Sequence, residues 1–68
     1  MTIKNKLREI RMREYMLSQK DFCEVLKINV RTYSPLENNK VQGNIETIFF
    51  ICKNLHKKIE DIWYEVSE

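Results

Sequence analysis

The sequence predicts an all-α fold of five short helices in a single domain spanning residues 1–68, to which a short terminal β-pair can be added. Two observations carry this. Apolar residues recur at three- and four-residue spacing in five separate stretches, each the mark of a helix that buries one face. The 68 residues include one Gly and one Pro, with no low-complexity linker and no internal repeat, so nothing marks a domain boundary.

The first helix is expected over residues 3–14, where Ile3, Leu7 and Ile10 repeat between charged residues. Tyr15, Met16 and Leu17 carry the chain into a turn. Ser18 is an N-cap with Asp21 three residues on, and Phe22, Val25 and Leu26 give the second helix an apolar face that ends near Lys27. Asn29 caps a third helix, Val30 to Glu37, polar on one side with Tyr33 and Leu36 available to pack on the other. Tyr33 is expected in the core with its hydroxyl at the edge. Lys40 to Gly43 reads as a loop. Asn44 caps the fourth helix, whose buried stripe is Ile45, Ile48, Phe49, Cys52 and Leu55. His56 follows at its C-terminal end. A short fifth helix carries Ile59, Ile62 and Trp63 at helical spacing. The ending Trp63-Tyr64-Glu65-Val66 is rich in strand formers and can pair with residues near Met1 to Ile3.

A domain this small buries only ~60% of the surface its unfolded chain exposes, and the usual supplements are disulfides, a metal or a partner subunit. Cys23 and Cys52 form no Cys-x-x-Cys pair, and His56 is the sole histidine, so the ligand spacing of a zinc site is missing. Both cysteines fall on apolar helix faces, where a reduced thiol acts as a small hydrophobe. A partner subunit is the remaining supplement. The expectation is a homodimer that buries apolar residues of the fourth and fifth helices and the tail, with Ile59, Ile62, Trp63 and Tyr64 contributing.

No apolar run is long enough to span a bilayer, and the stretch Met1 to Arg13 is too densely charged for a signal peptide, so the expected location is the cytoplasm. No Ser/His/Asp or Cys/His set, carboxylate pair or phosphate-cradling glycine loop is present, which argues against an enzyme. No cofactor and no small-molecule ligand is expected. The formal charge of +2 says little, but its distribution says more. Residues 1–20 carry six basic groups against two acidic ones, and residues 43–68 carry three against five. Such a layout suits a protein that turns one side to a polyanion, although a solvated charged helix face reads the same way.

Two short helices joined by a tight turn, the second with a polar exposed face, are what a major-groove reader needs. The stretch Leu17-Ser18-Gln19-Lys20-Asp21-Phe22-Cys23-Glu24-Val25-Leu26 through Arg31-Thr32-Tyr33-Ser34-Pro35-Leu36-Glu37-Asn38-Asn39-Lys40 resembles the Cro and phage-repressor helix-turn-helix family, also called the xenobiotic-response-element family. The resemblance continues through Ile45-Glu46-Thr47, Ile51-Cys52-Lys53-Asn54-Leu55 and Ile59-Glu60-Asp61-Ile62-Trp63. It implies a five-helix repressor-like fold and a transcriptional regulator that binds double-stranded DNA.

By the same resemblance, Gln19 matches the glutamine that lies against the DNA backbone, the alternative being an exposed first-turn residue. Asn29, Val30, Arg31, Thr32 and Ser34 match the recognition helix and its start. Arg31 is the best base reader by chemistry, because its planar fork can donate two hydrogen bonds to guanine O6 and N7. Asn38 and Lys40 match a loop that contacts phosphate, the alternative for Lys40 being an idle surface lysine. Phe22, Val25, Ile28, Leu36, Ile48, Ile51 and Leu55 match the core.

Three departures stand out. The turn before the second helix is about one residue longer than the commonest family spacing. Lys27 stands where the family usually has glycine, so a side chain has to accept positive φ. Pro35 falls inside the recognition helix and is expected to shorten or distort it. The leading reading is a repressor that binds an inverted-repeat operator as a homodimer. The other is an antitoxin-like or antirepressor module that keeps the fold and binds protein, a reading that Pro35 favours and that Gln19, Arg31 and Lys40 oppose.

Overall fold

A computed structural model of the chain describes residues 2–67. The elements run β1 (Thr2–Asn5), α1 (Leu7–Ile10) continuing as a π-helical segment (Arg11–Tyr15), α2 (Gln19–Leu26), α3 (Val30–Glu37), α4 (Ile45–Leu55), α5 (Ile59–Ile62) and β2 (Trp63–Val66). The two strands pair antiparallel, Thr2 opposite Val66 and Asn5 opposite Trp63. Met1, included in the expected terminal pairing, lies outside the described residues.

The first helix therefore starts at Leu7 and not at Ile3, which belongs to β1. Asn5 makes the change of conformation. Its Oδ1 accepts from the Leu7 N–H at 3.1 Å, its Nδ2 donates to the Leu36 carbonyl at 2.6 Å, and its backbone N–H donates to Asn39 Oδ1 at 3.0 Å. A buried Asn satisfied by three separate partners is held at the strand end, and the helical spacing of Ile3 to Leu7 has no say in it.

The chain stays helical up to Tyr15 before the turn that precedes α2. From Arg11 to Tyr15 the chain widens to π-helical geometry, and Met16 closes it in the left-handed region at φ 53°, its N–H donating to the Arg11 carbonyl. A π-turn accommodates one inserted residue without ending the helix. Tyr15, expected in the turn, stays helical and packs edge-on against Phe22 with ring centroids 5.0 Å apart.

Every helix and β2 contribute to one core, in which Leu7, Phe22, Leu26, Tyr33, Ile51 and Ile62 are fully buried. Three expected core positions are not in it: Val25, Ile45 and Phe49 are 44%, 58% and 63% exposed. Ile28 and Ile48 are only half-buried. On α2 the buried arc is Phe22, Cys23 and Leu26, and on α4 it is Ile51, Cys52 and Leu55. Each arc is narrower than the apolar stripe in the sequence, because a short helix with few neighbours covers one side only. Gly43, at φ 85°, closes the loop before α4 against Leu36, whose Cδ2 would stand 2.6 Å from an added Cβ.

Lys27 does take the left-handed conformation, at φ 58° and ψ 45°, capping α2. A side chain there carries a steric cost that glycine lacks. Lys27→Gly is expected to stabilise the fold by about 1 kcal/mol, read as a higher midpoint in urea with an unchanged slope; no rise would mean that the lysine is unstrained.

Candidate nucleic-acid interface

Capping chemistry sets the two helices that matter. Ser18 Oγ accepts from the Asp21 N–H at 3.2 Å and starts α2, and Asn29 Oδ1 accepts from the Arg31 N–H at 2.8 Å and starts α3. Three residues, Lys27 to Asn29, separate the helices. The left-handed Lys27 turns the chain within that distance, and its N–H and that of Ile28 close the end of α2 on the Glu24 and Cys23 carbonyls.

α3 is divided lengthwise. Tyr33, Leu36 and Glu37 are buried, while Asn29, Val30, Arg31 and Thr32 at its start are exposed. Ser34 is half-buried, and its Oγ accepts from Asn38 Nδ2 at 3.4 Å. Asn38 and Lys40, beyond the helix, are exposed. The exposed set thus presents a guanidinium, one hydroxyl, two amides and an ammonium along one helix and the loop that follows it, groups that can donate to base edges and phosphates.

Behind that face lies a polar hub not expected from the sequence. Glu37, with its side chain 1% exposed, receives Arg11 Nε at 2.7 Å, Arg11 Nη2 at 3.5 Å, the Tyr33 hydroxyl at 2.9 Å, and the side-chain amide of Gln19. Arg11 also donates through Nη1 to the Leu17 carbonyl at 2.8 Å. One carboxylate thereby ties the π-helical segment, the head of α2 and the buried side of α3 together. Burial acts most strongly on this carboxyl and opposes its ionisation, yet the bonds from Arg11, Gln19 and Tyr33 outweigh it and hold Glu37 below the usual carboxylate range. The bond to Glu37 raises the Arg11 guanidinium further, and burial is the first cause that pushes the Tyr33 phenol up. The Tyr33 hydroxyl is consequently inside the domain, not at its edge: its acceptor is there. The signal for the hub was Glu37 itself, an acid placed on the Tyr33 and Leu36 side of its helix, where only a paired charge is tolerated. Arg11 is likewise spent inward and is no part of an outward basic face.

A family model described as helix-turn-helix matches residues 7–62. The chain belongs to the Cro/C1-type helix-turn-helix family. It is a DNA-binding transcription regulator. A search of curated proteins finds no match. Among the described residues, no helix is long and apolar enough to cross a membrane.

Within this Cro/C1-type domain Gln19 is half-buried, with one N–H turned to Glu37 and the other N–H and the carbonyl oxygen left over. Its role is split between holding the hub and facing outward. Pro35 neither shortens nor breaks α3, which continues through it to Glu37. The helix is not cut short for a local reason: it has only two residues left, so a single backbone bond, that to the exposed Arg31, is forgone, and Asn38 and Lys40 donate to the Ser34 and Pro35 carbonyls to close the end. Pro35→Arg should therefore raise stability by about 1 kcal/mol, below the ~3 kcal/mol of an ordinary helix interior, and raise DNA affinity through the added cation. Thermal melting and a salt titration of binding check the two effects; a variant with higher stability that binds no DNA would favour a protein-binding role for α3.

Proposed function

We propose that the protein acts in the cytoplasm as a repressor, a single domain that binds an inverted-repeat operator as a homodimer and blocks a promoter by occupying it. The observation that supports this most is the first turn of α3: Asn29, Val30, Arg31 and Thr32 are exposed together on a capped helix whose opposite side is anchored in the core. Arg31 reads a guanine edge, Val30 meets a thymine methyl, and Thr32 and Ser34 supply further groups for base edges or sugar. Gln19, Asn38 and Lys40 hold the phosphate backbone on either side of the helix.

Selection from random double-stranded DNA tests the reading. The expected product is a palindrome with half-sites roughly one helical turn, ~34 Å, apart. An enriched site without symmetry would remove the dimer but leave DNA reading; no enrichment at moderate salt would replace the reading with a protein-binding module.

A further inference from the structure

The side of the molecule away from α3 is incomplete in the isolated chain. An open groove of about 400 Å³ is walled by Ile3, Ile48, Ile59 and Trp63, with the carboxylates of Glu60 and Glu65 at its lining and no Lys, Arg or His among its residues. The Trp63 indole N–H, in that wall, is the one buried side-chain polar atom without a hydrogen-bond partner among the described residues. Beside the groove, Ile45, three residues before Ile48 on α4, and Phe49, one turn beyond Ile45, stand 58% and 63% exposed. One turn beyond Phe49 is Lys53, exposed, whereas the neighbouring cation Lys57 is already paired with Glu14 at 3.2 Å. An aromatic knob with an ammonium on its flank therefore lies next to an apolar hole with carboxylates in its lining. The two are complementary in charge and in polarity, and both belong to the same chain.

We propose that the occupant of the groove is a second copy of this chain, joined by two equivalent insertions in which Phe49 of each copy enters the groove of the other and Lys53 meets the Glu60 and Glu65 carboxylates. A two-fold interface requires a surface to be its own complement, and a knob beside a matching hole meets that requirement. The aromatic is a suitable anchor for a desolvated centre, and the charges set the register around it. This rests on the dimeric reading above and revises its residues. Ile62 is fully buried in the chain's own core and does not present the surface expected of it, whereas Trp63, 7% exposed, takes part only as a wall of the groove. Ile59 and Tyr64, 38% and 39% exposed, remain at the interface margin.

The groove contains no residue of α3, so the interface can be altered without touching the DNA-reading face. In sedimentation at micromolar concentration, the native chain is expected to be a dimer and Phe49→Asp a folded monomer by circular dichroism. On the selected palindrome, Phe49→Asp should lose about 10²-fold in affinity or more, the advantage of linked binding, while affinity for a duplex carrying one half-site stays within about twofold. Charge reversal gives the second arm. Lys53→Glu alone, and Glu60→Lys with Glu65→Lys alone, should each be monomeric, and mixing the two should restore a one-to-one dimer, because both insertions then pair opposite charges. A dimeric Phe49→Asp chain, or a mixture that stays monomeric, overturns the interface whatever the DNA result. A monomeric native chain whose groove binds a fluorescent apolar dye such as anilinonaphthalene sulfonate overturns it in favour of another occupant, and half-site binding still reports separately on the DNA reading.

Discussion

Glu37→Ala is expected to remove about 3–5 kcal/mol of folding stability, the cost of leaving a buried charge without its partner. The substitution strands the Arg11 guanidinium and the Tyr33 hydroxyl together, and it releases Gln19 from the head of α2. A domain of 68 residues has in total roughly 3–10 kcal/mol to lose at 0.05–0.15 kcal/mol per residue, so the variant should be largely unfolded at 37 °C. Urea unfolding followed by circular dichroism measures the change, and a loss under 1 kcal/mol would mean that the Glu37 charge is not structurally needed. The pH dependence has a definite sign. Because the folded carboxyl titrates below its ordinary range of ~4.3, the unfolded chain takes up the proton first as pH falls. The contribution of Glu37 is fully present above that ordinary value and is lost as pH drops through the lower, folded one. Glu37→Gln, which keeps the shape but cannot ionise, should show a flatter stability profile across that acid window.

Arg31→Ala should weaken binding to the selected operator by about 1–3 kcal/mol, roughly 5- to 150-fold, and relax the preference at one base position. The side chain projects from the second position of α3, where Asn29 accepts from its backbone N–H, and among the described residues no hydrogen bond commits its guanidinium. Lys40→Ala should instead weaken all sequences alike and lower the salt slope by about one unit, as expected for one phosphate contact. Comparing the two on the preferred and on scrambled duplexes separates base reading from anchoring. If Arg31→Ala left the sequence preference intact, α3 would not be reading bases through this residue.

What could be read from the chain alone is what short-range chemistry decides. Ser18, Asn29 and Asn44 cap the helices they were expected to cap, because a capping bond spans two or three residues and needs nothing else in place. The strand character of Trp63 to Val66 was legible from its strand-forming residues, whereas the left-handed Lys27 was expected only through the family resemblance. The exposed face of α3 followed from helical spacing within eight residues. Tertiary structure decided whatever depends on residues far apart in sequence. Ile3 is a strand residue because Glu65 lies opposite it. Glu37 is a hub because Arg11 and Gln19 come to it from 26 and 18 residues away, and Arg11 is thereby turned inward. Phe49 and Ile45 extend an apolar stripe, but the core that would have buried them is filled from the Ile51 side, leaving them on the surface. Periodicity tells which face of a helix is apolar; how much of that face is covered depends on which elements arrive to cover it, and that is settled only when the whole chain has packed.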